Sequence, residues 1–368
     1  MYDTRFFMNS YDLKREILKG RHVGTAATDI YEKLNACLSP RPCVFNIETT
    51  SYCNMRCVMC QRTTDMTRKP RHMDMKTFSR VADQLSPMSD AEKAQWRAFV
   101  ERRLLTGAET TENTFYFDIV SQSVTLHGFG EPLLDPLLPQ RVALLSQRSI
   151  PSYFSCNPCN IELDFIEELF DAGIGYIKFA MDSLDDAEAR RIRGGPADFS
   201  RSYENILKVL ELKKRKGAST VIVMTMLDFC GEFGQTSQAA RFLELWRDKG
   251  VYAYVKTVDN KWLLQRKGET DKSRGENKSH YCAQYCEYPW TSLTVLADGS
   301  VVPCTQDING SHIFGNVNDA PLAGIWNNRE MRQFRMAQIT GEFPDDFMCH
   351  ARCDYPILAY HLGAKPWA

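Results

Sequence analysis

The sequence predicts an α/β protein: a partial (β/α)6 TIM-like barrel with a small cysteine-rich domain at its C-terminal end. Three observations predict it. About six strand and helix patterns alternate between residues 43 and 261, the signature of a parallel sheet. An eight-unit barrel needs about 250 residues, more than this stretch offers once an insertion is set aside. From residue 262 the alternation stops, and a polar, charged segment leads into a tail that concentrates thiols.

Residues 1–42 read as a helical lead-in, because SYDLKREILKG and ATDIYEKLNACL space their apolar residues for one helix face. VFNI (44–47) is a short buried strand and MDMKTFSRVADQL (73–85) a helix. VTLHGFGEP (124–132) is a strand running into a glycine-rich turn. PLLPQRVALLSQ (136–147) is a helix, PSYFS (151–155) a strand, and DFIEELFDAG (164–173) a helix that ends on glycine. The pattern continues with YIKFAM (176–181, strand), SYENILKVLELKKRKG (202–217, helix) and TVIVMTM (220–226, strand). AARFLELWRDKG (239–250) and YAYVKT (252–257) make the last helix and strand. Residues 87–123 interrupt this order with far more than a normal loop, including a helical DAEKAQWRAFVERRLL. They serve either as a solvated decoration or as a lid or partner surface. The expected organisation is a lead-in at 1–42, a barrel at 43–261 with its insertion at 87–123, a linker at 262–281 and a tail domain at 282–368.

The net charge of −1 provides no overall attraction to nucleic acid or to an anionic membrane. No apolar run is long enough to span a bilayer, and MYDTRFFMNS lacks a signal pattern, so the expected location is cytoplasmic. Thirteen cysteines, an odd number, point to metal ligation rather than disulfides in a reducing compartment.

Three of those thiols, Cys53, Cys57 and Cys60, stand within eight residues directly after the first strand. A closed structural zinc site takes four ligands. Three thiolates can instead hold three irons of a four-iron cube and leave the fourth open. This CxxxCxxC motif resembles that of the radical S-adenosylmethionine (radical SAM) superfamily. The resemblance implies a SAM-binding [4Fe–4S] cluster whose open iron chelates the amino and carboxylate groups of SAM. An electron from it yields a 5′-deoxyadenosyl radical that abstracts a hydrogen atom from substrate.

Further motifs support the resemblance. Gly128-Phe-Gly130-Glu131-Pro132 ends the second strand, where glycines permit close backbone approach and a carboxylate accepts from an ammonium group. It is similar to the family's GGEP motif, with Phe129 splitting the glycine pair. Ser183 and Arg193 match the family's strand-end hydroxyl and the arginine of a following IRG, which contact SAM. Asn157 occupies the place of a TNG-like strand end.

In the tail, LTVLADGSVVPC reads as a hairpin turning at Asp298-Gly299. Cys286, Cys304, Cys349 and Cys353 surround it, with Cys282 in reserve, and four thiolates suit either iron–sulfur or zinc. CxxPW, DGxVxPC, GNV and IWN resemble the SPASM and twitch type of auxiliary-cluster domain. That implies one auxiliary [4Fe–4S] cluster, and the CxxxC spacing of the last pair departs from the usual CxxC.

The resemblance implies oxidation or epimerisation of a small polar substrate such as a sugar or aminocyclitol, served by a reductant such as flavodoxin or ferredoxin. Cys156, Cys159, Cys230 and Cys282 are the candidate hydrogen-atom donors for epimerisation. A peptide- or protein-modifying maturase is the alternative enzyme. An iron–sulfur electron carrier is the alternative outside enzymology, and it would not need Glu131, Ser183 or Arg193. The balanced charge argues against a nucleic-acid substrate.

Overall fold

The computed structural model describes residues 1–107, 111–229, 238–257 and 285–343, together with Phe347 and Cys349. Cys230, Cys282, Cys353 and the expected linker at 262–281 lie outside the described residues.

Six parallel strands form the barrel wall: β1 (Val44–Ile47), β2 (Val124–Thr125), β3 (Ser152–Cys156), β4 (Tyr176–Ala180), β5 (Val221–Asp228) and β6 (Tyr252–Thr257). They lie side by side in chain order, as right-handed β-helix-β units require. Side chains alternate across the wall. Phe154, Ile177, Phe179 and Met224 join the helices in one core, with Ile166, Leu169, Ile206 and Val209 among their partners. Tyr153, Val223 and Tyr254 belong to a second, largely aromatic cluster on the other face.

The helices start and stop where local chemistry dictates. Asp74 and Asp198 accept amide hydrogen bonds at the starts of Met75–Ala82 and Phe199–Lys216, and Gly217 ends the latter in the left-handed region at φ 62°. β2 is shorter than the run VTLHGFGEP suggested, because its residues from His127 onward are spent on the turn.

The tail is joined to the barrel through the sheet. β7 (Leu293–Val295) pairs in parallel with β1, and β8 (Ser300–Val302) and β9 (Gly315–Asn316) continue antiparallel, so nine strands form one sheet among the described residues. The expected hairpin turns at Asp298-Gly299, with Gly299 at φ 86°.

The insertion is not a solvated decoration. Its helix Asp90–Arg102 starts in a capping box between Ser89 and Glu92 and buries Trp96, Phe99 and Val100. Trp96 packs edge-on to Phe7 of the lead-in at 5.3 Å, and its Nε1 donates to the Phe117 carbonyl at 2.8 Å. The insertion joins a helix to the start of β2, so with the lead-in it covers the barrel at the strands' N-terminal ends. Among the described residues, no helix is long and apolar enough to cross a membrane.

Candidate active site

Catalytic groups in such barrels sit beyond the C-terminal ends of the strands. The Cys53–Cys60 loop leaves β1 at that end. It docks on the helix Asp186–Arg193, whose last carbonyls would otherwise lack partners. The Arg56 amide donates to the Arg193 carbonyl at 2.9 Å and the Val58 amide to that of Ile192 at 2.8 Å. Gly194 and Gly195 then let the loop approach. A Cβ on Gly194 would lie 3.0 Å from Arg56 Cβ, and both glycines hold positive φ, 59° and 57°.

Gly130 has a similar reason. A Cβ there would fall 2.2 Å from the Thr50 carbonyl oxygen, while one on Gly128 would meet Glu48 Cβ at 3.0 Å. The glycines therefore serve the packing of β2's turn against the thiol loop. The Glu131 amide donates to the Tyr52 carbonyl at 2.7 Å and fixes the same contact.

Glu131 is buried and accepts amide hydrogen bonds from Asn157 at 3.0 Å and Leu133 at 3.3 Å. Burial lifts its carboxyl to about 7 against those bonds. Asn157 caps its own turn by accepting from the Cys159 amide at 2.8 Å. Arg193 faces Asp182 at 2.6 Å. Burial opposes its charge, but Asp182, Cys57 and Glu131 together outweigh that and raise its pKa. Arg193 Nε is nevertheless buried without a hydrogen-bond partner among the described residues. The Ser183 hydroxyl is engaged within its own turn, donating to Glu188 Oε2 at 2.6 Å.

Burial raises the Cys53 thiol and takes that of Cys57 to about 12, with Cys60 adding to both. Among the described residues, no three His, Cys, Asp or Glu side chains converge to hold a single metal ion. Three thiols on one loop, a buried carboxylate and an orphaned guanidinium nitrogen fit a cluster with an open iron and a zwitterionic ligand beside it.

In the tail, Cys286 and Cys304 are both buried near Tyr288. Burial pushes Cys304 to about 12, although its sulfur accepts from the Gln306 amide at 3.4 Å. Gln338 Nε2 donates to Cys349 Sγ at 3.5 Å. The tail is latched to the thiol loop's end, where Gln61 Nε2 meets Gln306 Oε1 at 3.1 Å. Arg68 grips Glu48 with both terminal nitrogens, at 2.8 and 3.1 Å, while Glu48 also accepts from the Ala297 amide.

Beside Gly128 lies a cavity of about 400 Å³. The barrel wall contributes Asn46, His127, Tyr153, Lys178, Tyr254 and Lys256. The insertion adds Glu112 and Phe115, and the tail adds Tyr288 and Gln306. Sequence reasoning missed this set. The signal it had was Lys178, a charge within the otherwise apolar strand run YIKFAM. The two candidate donors among the described residues, Cys156 and Cys159, do not line it. Cys156 packs with Phe154 and Phe179 in the helix-facing core, and Cys159 Sγ bonds Ser202 Oγ at 3.0 Å and the Asp198 amide at 3.1 Å.

Residues 286–354 match the SPASM iron–sulfur cluster-binding domain. The chain is 24% identical over 352 residues to the tungsten-containing aldehyde ferredoxin oxidoreductase cofactor-modifying protein of Pyrococcus furiosus, covering 84% of this chain and 88% of that protein. It is similar to Streptococcus suis SuiB bound to S-adenosylmethionine, with a TM-score of 0.52 and 13% identity over 83% of this chain and 73% of that one. BtrN in complex with AdoMet and 2-DOIA is 16% identical over 80% of this chain and 86% of that one, with a TM-score of 0.43. Residues 286–354 are thus similar to a SPASM domain, the fold is similar to that of an S-adenosylmethionine-bound protein, and the Cys53–Cys60 motif resembles that of the radical SAM superfamily.

Proposed function

We propose that the protein oxidises a small polar substrate held in the barrel cavity, removing two hydrogens from it. The observation that carries this reading is the cavity of about 400 Å³, bounded at once by barrel, insertion and tail. Cys53, Cys57 and Cys60 would hold the SAM-binding [4Fe–4S] cluster. Glu131 and Arg193 would receive the amino and carboxylate groups of SAM, with Gly128, Gly130, Asn157 and Ser183 shaping the turns around them. Cys286, Cys304, Cys349 and Cys353 would hold the auxiliary [4Fe–4S] cluster. When bound, these groups supply a carbon radical that takes a hydrogen atom and a sink for the following electron, the proton leaving to water.

The protein's own part is to orient the substrate. Tyr153, Phe115, Tyr254 and Tyr288 give the cavity aromatic walls, and the insertion also lines it with Tyr116 and Val120. Oxidation is favoured over epimerisation because the two candidate donors among the described residues, Cys156 and Cys159, are held in packing and hydrogen bonds away from the cavity. The Pyrococcus relative, named for modifying a cofactor, supports a small-molecule substrate over a peptide.

The test is an anaerobic incubation of the iron-loaded protein with SAM and dithionite. 5′-Deoxyadenosine should form, and with the true substrate a product two hydrogens lighter. A product of unchanged mass carrying solvent deuterium would replace oxidation by epimerisation. Turnover of a co-expressed precursor peptide alone would favour the maturase.

A further inference from the structure

We propose, resting on the enzyme reading above, that the cavity recognises a carboxylate of the substrate through the Lys178 ammonium and the Asn46 side-chain amide. Lys178 sits in the middle of β4 and faces the cavity. Its Nζ lies 4.7 Å from the centre of the Phe115 ring. Among the described residues, no acceptor bonds it and no carboxylate pairs with it. The carboxylate that lines the same cavity, Glu112, is paired with Lys256 at 2.8 Å.

A second buried donor stands unpartnered in the same lining. Asn46 is 1% exposed, and its Nδ2 has no hydrogen-bond partner among the described residues. His127 adds a third, because its Nδ1 accepts from the Ser155 amide at 3.1 Å and its remaining ring proton is therefore on Nε2. Burial lowers His127 to about 3, so the ring is a neutral donor at ordinary pH. Lys178, Asn46 and His127 thus present donors to a cavity whose lining carboxylate among the described residues, Glu112, is already engaged.

A buried ammonium without a counter-ion is unfavourable, and burial draws Lys178 down to about 8, with Glu112 resisting and Lys256 assisting. An incoming carboxylate supplies the missing partner, and the aromatic wall strengthens that attraction by keeping water out. A lysine serving only the fold would have its acceptor within the protein, as Lys14 does in Glu287.

The carboxylate can belong to a small hydroxylated acid or to an acidic side chain on a peptide, and the test separates them. Iron-loaded protein is treated anaerobically with acetic anhydride, and acetylation of Lys178 is followed by mass spectrometry. Four probes are compared: glucuronate and its neutral twin glucose, and N-acetyl-Gly-Glu-Gly-amide and its Gln twin. One acidic probe should slow acetylation of Lys178 by about tenfold, the scale of one charge-assisted hydrogen bond, and its neutral twin should not. Protection by glucuronate assigns a small acid, and protection by the Glu peptide assigns a side chain. Equal rates with all four, equal protection by a neutral twin, or no acetylation without probe would each overturn the proposal. In Asn46→Asp, with its melting temperature checked, the introduced carboxylate should abolish the protection, and undiminished protection would also overturn it. SAM cleavage by the wild-type protein is measured alongside. Its failure would sink the enzyme reading while leaving the carboxylate site standing.

Discussion

Gly195 lies so close to Asn54 that a Cβ on it would stand 2.6 Å from the Asn54 carbonyl oxygen. The residue is also at φ 57°, where any other side chain is strained. Gly195→Ala should therefore displace the thiol loop. The purified protein should lose most of the iron held there, read by metal analysis and visible absorbance. Gly217→Ala is the control. It has a similar φ of 62° and no described residue within 4 Å of its added Cβ, so it should cost about 1–2 kcal/mol of stability and keep its iron.

Lys14 and Glu287 form an ion pair at 3.0 Å with side chains 0% and 2% exposed. It ties the lead-in to the residue after Cys286, and Tyr285 donates its hydroxyl to the same carboxylate. Removing one partner strands a buried charge. Lys14→Met should cost roughly 3–5 kcal/mol in denaturant unfolding, and the double replacement Lys14→Met, Glu287→Leu should recover much of it.

The parts of the fold governed by local pattern were legible in the sequence. VFNI, YIKFAM and YAYVKT read as strands because each is a short apolar or β-branched run, and Gly217 announced its helix end by its freedom at positive φ. Illegible were features created by distance. That β7 extends the barrel sheet depends on Val44 meeting Leu293, almost 250 residues away. Likewise Gly130 looked like a glycine for ligand approach, whereas it yields space to the Thr50 carbonyl ahead of the thiol loop. The cavity was missed because its lining comes from strands, insertion and tail, none of which alone shows a motif.

His127 should make the fold sensitive to acid. Its imidazole is held at about 3 by burial first and Lys178 second, against 6.5 for a free side chain. Between those values the unfolded chain binds the extra proton and the folded chain does not. Its contribution is therefore complete above about pH 6.5 and falls as pH drops toward 3, a loss approaching about 4–5 kcal/mol. Glu131 acts in the opposite sense, since its carboxyl is raised to about 7 and its contribution fades as pH rises through that value. Urea unfolding from pH 4 to 7 should show a steeper acid limb in the wild type than in His127→Gln, which keeps an acceptor for the Ser155 amide. Identical limbs would remove His127 from the account.

The two thiol sets should separate by function. Cys57 sits in a loop bonded through its neighbours to Ile192 and Arg193, beside the Arg193–Asp182 pair proposed above to adjoin SAM. Cys57→Ala should lose roughly half of the iron, since each set would hold one four-iron cluster, and should form no 5′-deoxyadenosine. Cys304 follows the hairpin and lies near Tyr288, which lines the cavity. Cys304→Ala should also lose roughly half of the iron yet still cleave SAM, because the Cys53–Cys60 loop docks on the Asp186–Arg193 helix without it. What it should lose is the oxidised product, for want of an electron sink. Anaerobic assays of both variants, scored for iron, 5′-deoxyadenosine and product mass, decide the matter. Full product formation by Cys304→Ala would show that the tail cluster serves structure alone, since substrate oxidation would then proceed without it.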